Sequence, residues 1–419
     1  MGPSRRRDSA GASREIDIGG IRATRANINL DAIEGNVRVL RGVLPEATRL
    51  MAVVKADGYG HGAPWVARAA LDAGAELLGV ATVDEGQGLR AHAIDAPIVL
   101  LGSIDASEAA AASEAGLEIT VAGESLLESV QRAARAPFAS SPVSVHLKVD
   151  TGLRRYGATA SEAVALATRI TGDPFLRLAG IYTHFASADE PDEPFTTDQL
   201  REFDEVIDSL RVAGVRLPPL HAANSAGILT GRGTDYAVAR AGIALYGIPP
   251  SSAVPLLPGM RAGLSIESRI TRLISLAPGD TVGYNRTFRA SAPMRAALVP
   301  IGYADGYRRA LSGRAWVGID GQRAPVLGRV SMDQIVVEIP QGARSDVDDT
   351  VHILGGDPAS AAPTIEEMAD LMGTNAYEVV VGIRRRIPRL FFRNGELVAA
   401  RVSVDAATST QSITDGTRI

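Results

Sequence analysis

The 419-residue chain carries 43 Lys and Arg against 48 Asp and Glu, a formal net charge of -5, with 46% hydrophobic and 22% charged residues. This mixed balance excludes the basic footprint of a nucleic-acid binder and the low hydrophobicity of a disordered chain. The absence of cysteine excludes disulfides, thiolate metal sites and cysteine nucleophiles together, and no apolar run of about 18 residues predicts a membrane-spanning helix.

The length favours two domains, one of them large enough to be a barrel. Residues 1–24 begin MGPSRRRDSAGASRE, where Arg5, Arg6 and Arg7 are not followed by the apolar segment of a signal peptide. A flexible tail on a cytoplasmic protein is the expectation. From 25 to 263, short apolar segments alternate with alanine-rich amphipathic ones. The strand candidates are LMAVVKA, ELLGVAT, PIVLLGS, EITVAG, VSVHLKVD, LAGIYTH, PPLHAANS and AGIALYG. Between them, stretches such as APWVARAALDAGA, SEAVALATRIT and TDQLREFDEVIDSLRVAG show helical spacing of apolar residues with glycine near the end. Eight such units favour an α/β class (β/α)8 TIM-like barrel over an open sheet. Residues 264–404 read instead as strands and turns, a mainly β domain with one helix-like insert, TIEEMADLMG, and a hairpin signal at Asn394 and Gly395. The polar stretch 405–419 reads as a second flexible tail.

In such a barrel the active site lies at the carboxyl ends of the strands. The candidate strands end there in Lys55, in Lys148 and Asp150, in His184, and in Asn224 with Ser225, while Arg240 precedes the last one. A strand-end lysine such as Lys55 has two readings: it snorkels out to pair with Asp57, or it is a desolvated amine of lowered pKa that forms a Schiff base. His184 taken alone fits a structural histidine, and Asn224 with Ser225 fits a turn or cap. In the β domain, Tyr284 (VGYNRTF), Tyr303 (PIGYADG), and Met332 with Asp333 (GRVSMDQ) form a second group, for which packing is the bland alternative.

KADGYGHG, DTGLRRYG, YTHFASADE, HAANSAG, ARAGIALYG, VGYNRTF, PIGYADG and GRVSMDQ follow one another in an order that resembles the alanine racemases, from about Arg25 to Arg401. The resemblance implies a pyridoxal 5'-phosphate enzyme without a metal, interconverting L- and D-alanine in a head-to-tail homodimer with shared sites. It implies that Lys55 carries the cofactor, that Tyr59, Asn224, Ser225, Gly242 and Ile243 contribute to the cofactor site, chiefly around the phosphate, and that His184 packs beside the ring. Arg240 matches the arginine facing the pyridine nitrogen, where its charge disfavours protonation of that nitrogen. Arg155 matches a substrate-binding arginine, and Lys148 a lysine carbamylated in many relatives. Lys55 and Tyr284 of the partner subunit would act on opposite faces of the α-carbon, with Tyr303 and Met332 closing the pocket. Some relatives place a phosphate-reaching tyrosine in a segment resembling IRRRIPRLF, where this chain has Arg385.

Three alternatives stay open at this point. A serine or broader-specificity racemase would use the same groups. A decarboxylase of the same architecture would need a cysteine this chain lacks. A cofactor-binding protein without catalysis would have no use for Tyr284 or the β domain.

Overall fold

Short runs of Val, Ile and Leu that stop at polar or glycine-rich turns bury both faces in a helix-covered parallel sheet, which can also close on itself. In the computed structural model, which describes residues 20–136, 141–192 and 194–402, they do so. The strands Arg49–Val53, Leu77–Val80, Ile98–Leu100, Glu118–Val121, Val143–Lys148, Leu176–Tyr182, Leu220–His221 and Val238–Ala241 form a closed barrel. All pairs are parallel, and Arg49–Val53 closes the ring against Val238–Ala241. Helices cover the outside. The helix Ala160–Thr171, for instance, starts on a Thr159–Glu162 capping box and buries Ala163, Leu166, Ala167 and Ile170.

The eighth strand differs from expectation. AGIALYG was expected to form it, but the strand is Val238–Ala241 and Ile243–Tyr246 is a single 3-10 turn. Gly242, at φ -102 and ψ -107, breaks the extended run. Arg240 therefore lies within the strand rather than before it.

The β domain holds a seven-stranded sheet, ordered Gln322–Pro325, Trp316–Ile319, Thr350–Leu354, Leu264–Arg269, Arg25–Asn29, Arg389–Arg393 and Glu396–Arg401. A smaller sheet orders Arg272–Leu276, Met294–Val299 and Ile335–Glu338. Arg25–Asn29, expected within the barrel domain, pairs antiparallel with Leu264–Arg269 and parallel with Arg389–Arg393. By pairing it belongs to the second domain. The first and last strands among the described residues thus share one sheet, and the two domains are tied at both ends.

The expected tail at 1–24 also ends early. Thr24 is buried and shares a hydrogen bond with Ser268 Oγ at 2.8 Å, while Arg22 pairs with Asp305 and donates to the Pro300 carbonyl at 2.6 Å. Residues 1–19 and 403–419 lie outside the described residues, as does the greater part of both expected tails. The hairpin at Asn394 and Gly395 turns as expected, with φ of 52° and 77°. Among the described residues no helix is long and apolar enough to cross a membrane.

Candidate active site

The polar groups converge at the carboxyl end of the barrel. Lys55 stands two residues beyond the strand Arg49–Val53, at the head of an unusual turn: Ala56, Asp57, Gly58, Tyr59 and Gly60 have φ of 51, 56, 62, 50 and 80°. Three of these are L-residues held left-handed, at roughly 1–2 kcal/mol each. Surrounding groups fix this conformation. The Glu85 carboxylate accepts from Ala56 N at 2.6 Å and Ala81 N at 2.7 Å, and Gly60 N donates to the Ala56 carbonyl at 2.9 Å. Gly60 cannot be larger, because a Cβ there would lie 2.3 Å from the Val380 carbonyl oxygen. Burial and the charge of Arg155 push the Lys55 amine below its ordinary pKa, against the opposing pull of Glu85.

Lys148, the last residue of Val143–Lys148, is buried. Its amine faces the rings of Tyr156 and Tyr182 at 5.0 and 5.7 Å. Burial, then Arg155, then Arg240 lower its pKa to about 8, although Asp150 opposes them. Arg155 is exposed, and its charge acts on both lysines. The cluster is thus rich in cations and poor in anions.

Arg240 is wholly enclosed. Its Nη2 donates to the carbonyls of Thr183 at 2.8 Å and Ala222 at 2.9 Å and to His184 Nδ1 at 3.2 Å, while Nη1 donates to His221 Nδ1 at 3.0 Å. Since arginine only donates, both imidazoles must present an unprotonated Nδ1. Burial, reinforced by Arg240, agrees by holding both histidines well below their ordinary pKa. From His221 Nε2 the chain continues to His146 Nδ1 at 3.3 Å and from His146 Nε2 to Glu118 Oε2 at 2.6 Å. Glu118, His146 and His221 line a cavity of about 580 Å³ at the amino end of the barrel. A single ordered series of hydrogen bonds therefore crosses the barrel.

Beside Tyr59, at the end of that turn, is a small polar cradle. Ser225 Oγ accepts from Gly242 N at 2.9 Å and Ala244 N at 3.3 Å, and the Asn224 side chain caps the helix Ser225–Thr230 by accepting from Gly227 N at 2.9 Å. A Cβ on Gly242 would fall 2.8 Å from Tyr59 Oη and 3.7 Å from Ser225 Oγ. Ile243 opens the 3-10 turn immediately after. Two hydroxyls and a helix-like amino end so meet at a backbone stripped of its side chain.

The β-domain candidates form a separate group. Tyr284 and Met332 line a shallow depression of about 430 Å³ with Gly283, Ser331, Asp333 and Gln334, and no barrel residue lines it. Tyr303 N donates to the Ser331 carbonyl at 3.0 Å, which places that tyrosine alongside. Tyr284, Met332 and Tyr303 are exposed to 66%, 53% and 39%, high values for apolar side chains.

Two features escaped the sequence reading. Tyr377, in the helix Ala376–Val381, packs its ring 6.2 Å from Tyr59, and burial pushes its hydroxyl up to about 12. Arg385, singled out instead, is exposed on a neighbouring turn. The Glu118–His146–His221 series was also unseen, although VSVHLKVD and PPLHAANS both display the histidine.

Comparison with known proteins gives the family. Residues 28–250 match the family model "Alanine racemase, N-terminal domain" and residues 263–391 match "Alanine racemase, C-terminal domain". An alanine racemase of Symbiobacterium thermophilum is 40% identical over 90% of this chain and 99% of its own length. That of Geobacillus stearothermophilus is 38% identical over 93% and 98%. Among solved structures, alanine racemase of Bacillus anthracis with bound L-Ala-P superposes with a TM-score of 0.84 at 35% identity, covering 90% of this chain and 97% of that one. The enzyme from Streptomyces lavendulae gives 0.84 at 36%, covering 89% and 98%. With matching models across both domains and such relatives over nine tenths of its length, the chain belongs to the alanine racemase family of isomerases.

Proposed function

We propose that the chain racemises alanine with pyridoxal 5'-phosphate, using Lys55 and Tyr284 of the partner subunit as the two proton-transfer groups. The observation that carries this reading is the grouping, at the carboxyl end of the barrel, of two lysines of depressed pKa with Arg155 and Arg240, together with a cradle where the Ser225 and Tyr59 hydroxyls meet the bare backbone of Gly242. Cationic groups that lower one another's pKa favour an anionic ligand among them. The residues fit the cofactor: Lys55 would hold its carbonyl carbon, Tyr59, Ser225 and the amides near Gly242 and Ile243 its phosphate, and Arg240 its ring nitrogen. When bound, the cofactor supplies the electron-withdrawing system that makes the α-proton removable.

Lys55, which burial and Arg155 hold below its ordinary pKa, takes or returns the proton on one face. The opposite face needs a second acid–base group, and Tyr284 stands exposed on the β domain beside Met332 and Tyr303. A twofold, head-to-tail dimer would place that patch over the Lys55 cluster of the other copy. Met332 and Tyr303 would then narrow the pocket around the substrate methyl group. Arg155 fits the substrate carboxylate. Lys148 has the neutral-amine character that reaction with carbon dioxide requires, and the resulting carbamate would give Arg155 the anion missing beside it.

The test is incubation of the purified protein with L-alanine, L-serine and L-lysine in separate reactions, read by chiral chromatography. D-alanine should accumulate fastest. Faster racemisation of serine or lysine would overturn the alanine assignment, and no D-amino acid with cofactor bound would overturn the reaction.

A further inference from the structure

The turn after Lys55 carries two of the groups discussed above. Lys55 opens it and Tyr59 ends it, so its left-handed conformation sets the distance between amine and hydroxyl. A turn of this kind relaxes unless outside contacts hold it. On the barrel side these are Glu85 on Ala56 N, and Ala63 N, which donates to Asp57 Oδ1 at 3.1 Å. Further contacts come from the far end of the chain. Arg401 donates from Nη1 to Asp57 Oδ1 at 2.8 Å and from Nη2 to Oδ2 at 2.6 Å. Arg389 donates from Nε to the Gly60 carbonyl at 3.1 Å.

These two arginines are cross-strand partners in the terminal hairpin, Arg389 opposite Arg401. Arg389 is anchored in turn, because its other nitrogens donate to the carbonyls of Ile383, Arg384 and Ile387 at 2.6–2.8 Å. Arg401 has no such second anchor among the described contacts; its fork is spent on Asp57. The pair joins residues 344 positions apart and is only partly exposed, at 26% and 20% of the side chains. Despite burial, which acts to raise it, the Asp57 carboxyl is held below its ordinary pKa, chiefly by Arg401.

We propose that Arg401, through its two-pronged bond to Asp57, is a positioning residue that holds the turn so that Lys55 and Tyr59 address one ligand together. The proposal rests on the reading of Lys55 as the cofactor-bearing amine. Arg401 touches neither substrate nor cofactor; it acts through the backbone of the turn. Its loss lets Asp57 relax and moves the amine relative to the cradle at Ser225 and Gly242.

The test uses the full-length holoenzyme and three variants, Arg401→Gln, Arg401→Lys and Asp57→Asn. Arg401→Gln is expected to weaken pyridoxal phosphate binding by about tenfold in equilibrium dialysis and to lower kcat by about tenfold, with KM for alanine within about twofold and the urea midpoint unchanged. Arg401→Lys, which keeps one charged bond, should recover part of both losses. Dialysis and kcat values within about twofold of wild type in Arg401→Gln would overturn the proposal. So would losses that track a fallen urea midpoint and that lysine does not restore. Should Arg401→Gln fail to fold, Asp57→Asn decides on the same readouts, since it keeps an acceptor for Ala63 N while removing the charge. Borohydride reduction of the wild type, with the label mapped by peptide, separates the two claims: label absent from Lys55 sinks the functional reading, whereas label on Lys55 with unaffected variants sinks only the positioning role.

Discussion

Arg240 Nη1 donates to His221 Nδ1 across 3.0 Å, and this one contact fixes the proton positions of a whole series. His221, neutral through burial, must then carry its proton on Nε2 and donate to His146 Nδ1, which leaves His146 Nε2–H for Glu118. Nitrogen-15 NMR of labelled enzyme should therefore find His221 with a bare Nδ1 and a protonated Nε2 at neutral pH. The opposite tautomer would contradict the series. His221→Leu removes the acceptor of a buried guanidinium and is expected to destabilise the fold by about 1–3 kcal/mol in urea unfolding.

Gly242→Ala tests the cradle. The backbone at φ -102 and ψ -107 lies outside the α and β regions open to L-residues, so alanine strains it, and the new Cβ would sit 2.8 Å from Tyr59 Oη. Tyr59 cannot swing away freely, because Tyr246 packs at 4.9 Å and Tyr377 at 6.2 Å between ring centroids. Affinity for pyridoxal phosphate should fall by about tenfold, or about 1.4 kcal/mol, in equilibrium dialysis, and the backbone strain should also lower the urea midpoint.

Much of this was legible in the sequence and some was not, for physical reasons. Strand ends such as those at Lys55, Lys148 and His184 stand out because a charged or titratable group after an apolar run costs free energy unless it has a task. The eighth strand was misplaced because its sequence, VARA, carries a charge that tertiary contacts alone satisfy, whereas the apolar IALY beside it looks more like a strand. Arg25–Asn29 was not recognised as a sheet strand because its pairing partners lie more than 200 residues away. The Asp57–Arg401 and Glu118–His146–His221 contacts are likewise set by topology, and no local pattern reports them. Tyr377 lay in a short helix whose Asn375 cap was the available signal.

Lys148 makes stability depend on pH. Its folded pKa, about 8, lies below the ordinary 10.5, so the fold disfavours the charged amine and stability rises as pH goes from about 8 to 10.5. In carbonate-free buffer Lys148→Met should therefore gain stability over wild type at pH 7, by up to about 3 kcal/mol, and lose that advantage near pH 10.5. Urea unfolding at both pH values measures it. An advantage independent of pH would contradict the depressed pKa. With labelled bicarbonate, carbon-13 NMR should show a carbamate signal that Lys148→Met abolishes.

Arg240→Glu should shift the reaction rather than only slow it. A carboxylate in place of the guanidinium favours protonation of the cofactor ring nitrogen, which makes the ring a better electron sink and lengthens the time before the α-carbon is reprotonated. Pyruvate formed per alanine racemised should rise, measured by a coupled dehydrogenase assay. An unchanged ratio would contradict the electronic role assigned to Arg240.

The shared site has its most direct test in subunit mixing. Lys55→Ala and Tyr284→Phe should each be nearly inactive, since each removes one of the two proposed proton-transfer groups. When equal amounts are allowed to reassort, with exchange confirmed by mass-tagged chains, half the dimers are mixed and each of these has one intact site of two. Racemase activity should then recover to about one quarter of wild type. No recovery despite confirmed exchange would show that both groups come from one chain, and would contradict the account.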